Sequence, residues 1–152
     1  YQQLDLGFNY RMTELQAALG LSQLKRLAWF AERRHVIARQ YQSFLSSFPL
    51  RMQFQPEDCY SAMHLFVIRL QLCKLNKSHK QVFMLLRQSG IGINLHYIPV
   101  HLQPYYQRMG FNKGDFHEAE TYYQEAITLP VFPDLSEQKI AFIVECIREA
   151  LN

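Results

Sequence analysis

Cysteine is scarce in this 152-residue chain, and no two cysteines stand close together. Cys59, Cys73 and Cys146 are odd in number, widely spaced and free of any CxxC pattern. That excludes a disulfide framework and a cysteine zinc site, and it predicts reduced thiols in a cytoplasmic protein. No apolar run nears the roughly 20 residues that a membrane span needs, and the opening residues are not expected to act as a signal peptide. Excess charge is also slight: 16 Lys and Arg against 13 Asp and Glu leave a net charge of +3. So mild a balance gives no footprint for nucleic acid or an acidic membrane surface. Neither GxGxxG nor GxxxxGK(S/T) occurs, so the familiar glycine-rich phosphate loops are missing. Gly/Ser linkers, low-complexity tracts and internal repeats are missing too. There is no Met at position 1; the opening YQQLDLGFNYRM reads as the interior of a longer protein.

What the chain does have is apolar mass. At 49% hydrophobic and 14% aromatic residues, it can bury the core of one domain. Thr13-Glu14-Leu15-Gln16 fits a capping box, and apolar residues recur at helical spacing from Ala17 through Leu24, Ala31, Tyr41 and Phe48. The expectation is one helix over 13–48, roughly 50 Å long, ended by Pro49 and open to a break near Gly20 or Arg34. Three strands are expected at 50–54, 65–71 and 91–97. In the last, Ile91, Ile93, Leu95 and Tyr97 share one face, and Gly92, Asn94 and His96 the other. Helices are predicted over 78–89, between Ser78 and Gly90, and over 116–127. A final helix starts at the Ser136 cap, after an extended ITLPVFP stretch. The fold class expected is α+β: a small sheet covered by helices, behind a long leading helix.

Two polar clusters stand out. Gly7-Phe8-Asn9-Tyr10-Arg11 precedes the Thr13 cap, where an amide, a guanidinium and a helix N-terminus together suit a phosphate. The same residues also make an ordinary turn with a surface arginine. His96-Tyr97-Ile98-Pro99-Val100-His101, followed by Pro104-Tyr105-Tyr106, combines imidazoles and phenols suited to a sugar or nucleotide. It equally makes a packed aromatic corner. His96 and His101 lie five apart across Pro99, which is not a usual zinc spacing. Ser22-Gln23-Leu24-Lys25 matches SxxK, but it falls within a helix and lacks the partner motifs of that chemistry.

Taken in order, LGFNYRMTELQAALGLSQLKRL, LHYIPVHLQPYYQRMGF and GDFHEAETYYQEAITLPVFPDLS resemble the C-terminal part of the DegT/DnrJ/EryC1/StrS sugar aminotransferases. The HYIPVHLQPYY block is most similar to the branch acting in pseudaminic acid biosynthesis. The resemblance implies an aspartate-aminotransferase-type architecture, with pyridoxal 5'-phosphate (PLP) as cofactor. On that pattern, residues 1–12 form a loop near the cofactor, 13–48 the connecting helix and 49–152 the small domain. The PLP-binding large domain is expected upstream of Tyr1. None of the six lysines sits in the family's motif for the PLP lysine, so no catalytic residue is assigned in this chain.

Binding roles are what the resemblance carries over. Asn9 is implied as a ligand of the cofactor phosphate in the neighbouring subunit of a homodimer, with Arg11 close to that shared site. His96, Tyr97 and His101 are implied as substrate-binding residues. The implied reaction moves an amino group from L-glutamate to the C4 ketone of a UDP-linked 4-keto-6-deoxy sugar, with no metal, nucleic acid or membrane partner. The isolated fragment is expected to be inactive. A non-catalytic oligomerisation module stays open beside this reading, as does a PLP-dependent dehydratase or regulator of the same superfamily.

Overall fold

The computed structural model describes residues 7, 8 and 10–152. Helix α1 (Glu14–Leu24) begins at the anticipated capping box. The Thr13 hydroxyl accepts from the Gln16 N–H at 3.3 Å, and the Gln16 side chain accepts from the Thr13 N–H at 2.9 Å. The single helix expected over 13–48 does not form. Gly20 stays inside α1, and the chain breaks at Lys25–Arg26 before α2 (Leu27–Phe44) starts without a side-chain cap. The two helices also bury differently. α1 has no buried residue, whereas α2 buries Ala31, His35, Ile37, Ala38 and Tyr41.

The sheet has three antiparallel strands in the order β1 (Leu50–Met52), β2 (Phe66–Leu70) and β3 (Ala126–Leu129). Leu50 faces Leu70 across the first pair, and Phe66 faces Leu129 across the second. The third strand is thus not the 91–97 segment. That segment touches the sheet at one bridge, Asn94 to Thr128, while the AITL stretch at Ala126–Leu129 supplies the strand itself. The alternation at 91–97 still has a physical basis, since Ile91 and Ile93 are buried and Gly92 and Asn94 exposed. One face enters the core, but only Asn94 pairs with the sheet.

Helix α3 (His79–Gln88) carries a second capping box at Ser78 and Gln81. It ends as a glycine-dependent turn: Gly90 takes φ +80°, its N–H reaches the Arg87 carbonyl, and the Ile91 N–H reaches Leu86. An L side chain would be strained there, so glycine is the residue that lets the chain turn back. A one-turn α4 (Pro104–Gln107) and α5 (His117–Glu125) follow. α6 (Glu137–Leu151), capped by Ser136, completes the fold. Ile140, Ile143, Val144 and Ile147 fall at i, i+3, i+4 and i+7, so α6 lays one stripe on the core against α2 and α3. Full burial of Ile147 contributes roughly 1.5–3 kcal/mol.

The outer edge of β3 is covered piecemeal. Its outward carbonyls belong to alternate residues: Ala126 accepts from the His79 ring at 2.8 Å and Thr128 from the Asn94 N–H at 3.2 Å. Pro130, next in that series, accepts from the Tyr41 hydroxyl at 3.0 Å.

Candidate functional site

Residues 94–101 leave the core beside that edge, and the segment is fastened at both ends. At its start Asn94 is locked to Thr128 by a reciprocal backbone pair, with N–O distances of 3.2 and 2.8 Å. The Asn94 side-chain oxygen accepts from the Leu95 N–H at 2.8 Å, which turns the amide nitrogen toward His96 Nε2 at 3.3 Å. On the other side of that ring, His96 Nδ1 lies 2.9 Å from the Thr128 hydroxyl. The His96–Tyr97 peptide is cis, and the two rings meet edge to face at 4.6 Å. His96 is half-buried, while Tyr97 keeps 71% of its surface exposed. The segment is therefore a loop leaving a single bridge, not the end of a strand.

At its far end the segment turns inward. Pro99 is buried, a 3-10 turn covers Val100–Leu102, and His101 is only 6% exposed. His101 Nε2 donates to Glu120 Oε1 at 2.9 Å, and the same oxygen accepts from the Gly114 N–H at 2.6 Å. Gly114 holds φ +100°, a conformation in which a side chain would be strained. The hydrogen bond from His101 holds the Glu120 carboxyl below the usual carboxylate range. The Gly114 N–H adds to this, while burial opposes it. The His101 ring packs 4.8 Å from Phe116. With Val100, Tyr106, Phe111 and Ala119 they line an apolar cavity of about 380 Å³.

The sequence-derived residues therefore divide. His96 and Tyr97 reach a common surface, whereas His101, expected beside them, points inward because a buried carboxylate and an aromatic ring claim it. Arg11 is exposed two residues before the Thr13 cap, next to the stacked Phe8 and Tyr10 rings, 5.5 Å apart. Among the described residues, no hydrogen bond or ion pair joins Arg11 to the 94–101 segment. Asn9 lies outside the described residues.

Sequence reasoning missed Thr128, Glu120 and Gly114 as parts of this site. Thr128 sits in a strand buried at every position, Glu120 meets His101 from 19 positions away, and Gly114 reaches that carboxylate from six. Asn94 had a signal, its place on the same face as His96. Among the described residues there is no group of three His, Cys, Asp or Glu that could hold a metal ion. No described helix is long and apolar enough to cross a membrane. The three cysteines are free, with Cys59 and Cys73 exposed and Cys146 buried.

The chain matches the DegT/DnrJ/EryC1/StrS aminotransferase family over residues 1–148. It is 36% identical over 155 residues to the spore coat polysaccharide biosynthesis protein SpsC of Bacillus subtilis, covering 100% of this chain and 40% of SpsC. Its fold is similar to that of Helicobacter pylori PseC, an aminotransferase involved in pseudoaminic acid biosynthesis. The TM-score is 0.86 at 27% identity, over 99% of this chain and 40% of that one. It is also similar to Spr1654 from Streptococcus pneumoniae in its PMP-form, with TM-score 0.85 at 28% identity, over 92% of this chain and 35% of that one. The chain thus spans about two-fifths of the length of the curated relative SpsC.

Proposed function

The chain belongs to the DegT/DnrJ/EryC1/StrS aminotransferase family, and from that premise we propose that it is the small-domain part of a PLP-dependent sugar aminotransferase. The amino donor is L-glutamate, and the acceptor is the C4 ketone of a UDP-linked 4-keto-6-deoxy sugar. The enzyme works in the cytoplasm as a homodimer with shared sites. When bound, PLP supplies the electron sink through which an amino group passes from donor to acceptor. The lysine that carries it belongs to the rest of the protein.

The donor chemistry beside α1 suits the cofactor's phosphate. Arg11 offers an exposed guanidinium just ahead of a helix N-terminus. The Thr13–Gln16 box uses two of the backbone donors there, and the family resemblance implies Arg11 and Asn9 as the side chains that hold the anion. In this reading Asn9 acts across the dimer, and Arg11 neutralises charge beside it. His96 and Tyr97 form a wall of the sugar-nucleotide pocket. The exposed Tyr97 ring gives a stacking face and its phenol a hydrogen-bonding group. His101 contributes indirectly, because its bond to Glu120 fixes the inner end of the segment that carries them.

One observation carries the reading: a family match over the chain coincides with a loop pinned at both ends that presents His96 and Tyr97 outward. The test uses the full-length enzyme. His96→Ala should raise KM for the UDP-sugar about tenfold or more while PLP affinity stays unchanged. Asn9→Ala should do the reverse, weakening PLP binding by about ten- to a hundredfold. A product aminated at C3 instead of C4 would reject the proposed acceptor. Unchanged sugar KM in His96→Ala would reject the proposed site.

A further inference from the structure

The hydrogen bonds around His96 specify more than its position. Asn94 Oδ1 is committed to the Leu95 N–H at 2.8 Å, so the group facing His96 Nε2 is an N–H donor. A proton on Nε2 would set two donors against each other. With Nε2 serving as acceptor, the ring proton sits on Nδ1, where the Thr128 hydroxyl receives it at 2.9 Å. The Thr128 hydroxyl can donate or accept, so it follows the tautomer that the Asn94 amide favours, but its place is fixed. Thr128 is buried, pairs with Val67 on one side and Asn94 on the other, and its hydroxyl stands on the central part of β3.

The two contacts also differ in strength and access. The Thr128 bond is short and partly buried, whereas the Asn94 contact is long, at 3.3 Å, and lies at the exposed side of the ring. The outer contact is the one that a ligand can replace. We propose that Thr128 and Asn94 are positioning residues that hold His96 as its Nδ1-protonated tautomer, with Nε2 kept as an acceptor for a hydroxyl or amide N–H of the sugar nucleotide. This rests on His96 facing substrate, as proposed above. It assigns the ring a chemical preference: an unprotonated Nε2 attracts donors and repels phosphate oxygens. His96 therefore reads the sugar or the base, and the diphosphate is left to other groups.

The test is made on the full-length enzyme with ¹⁵N-labelled histidine. The His96 signal is assigned by its loss in His96→Gln, and Thr128→Val and Thr128→Ser are compared with the parent. Valine keeps the strand and removes the hydroxyl, while serine restores it. The parent should show a protonated Nδ1 and an unprotonated Nε2. Thr128→Val should lose that preference and raise sugar KM about tenfold, with kcat and PLP affinity little changed. Thr128→Ser should recover both the tautomer and KM, a rescue that a purely packing role would not give. A protonated Nε2 in the parent, or an unaltered tautomer in a folded Thr128→Val protein, overturns the inference even if sugar KM depends on His96. A sugar KM indifferent to His96→Gln overturns the site reading and the acceptor role with it, whichever tautomer is found.

Discussion

Replacing Tyr41 with Phe removes one oxygen from the centre of the molecule and leaves the ring in place. Tyr41 has no exposed surface, packs 5.1 Å from Phe66, and donates its hydroxyl to the Pro130 carbonyl at 3.0 Å. Phenylalanine preserves the apolar burial, so the loss comprises the hydrogen bond and the unmet need of the Pro130 carbonyl. Together these cost about 1–3 kcal/mol. Tyr41→Ala would also empty the space of the ring and cost about 3–5 kcal/mol. In a chain of this size, the Phe variant should melt roughly 2–10 °C below the parent. Urea titration followed by far-ultraviolet circular dichroism should give a lower midpoint at unchanged slope.

There is an alkaline signature as well. Burial pushes the Tyr41 phenol above the usual tyrosine range, because the phenolate would lose its hydration. The folded state thus keeps a proton that the unfolded state releases. This contribution to stability is complete below the ordinary tyrosine pKa and declines as pH rises past it. Tyr41→Phe should lack that share of the alkaline decline. A variant as stable as the parent, with an identical alkaline slope, would show that the Tyr41–Pro130 bond contributes nothing.

Glu120→Gln should weaken the His101 anchor only where Glu120 is ionised. Because its carboxyl is held below the ordinary range, the stability gap should be full above that range and close as pH falls through the lowered value. Thermal melts of both proteins across the acid range would test this, and parallel curves would remove the charge from the explanation. On α1, Leu15 is 82% exposed and Leu19 63% exposed, so changing both to Gln should reduce self-association in light scattering without lowering the core's melting temperature. Unchanged association would clear the α1 leucines of that role.

Local chemistry was legible in the sequence; pairing at a distance was not. Thr13 and Ser78 each have their Gln partner three residues on, and Ser136 meets the Lys139 N–H, so these helix starts needed no knowledge of the fold. The break at Lys25–Arg26 carries no proline, glycine or side-chain cap to announce it. β3 is buried at all four positions, so it lacks the alternation that drew attention to 91–97. The same distinction runs through the site. His96 and Tyr97 could be singled out as residue types in a motif, but Thr128 lies 32 residues from the ring it meets and Glu120 lies 19 from His101. Nothing in the composition of either segment encodes that encounter, which is made by the return of α5 and β3 to the sheet.

The piecemeal covering of β3 also governs what the sheet can become. An edge strand with free carbonyls is a template on which another extended chain can grow. Here a histidine ring, one bridging backbone amide and a buried phenol occupy three successive outward acceptors. The opposite border is β1, three residues long with an exposed Arg51 at its middle, a poor seed for further strands. Any chain trying to add itself beside β3 must first expel side chains that also fasten α2 and α3 to the core. Aggregation through that border would thus require partial unfolding, and a substitution at Tyr41 or His79 could raise fibril formation without touching a single exposed apolar residue.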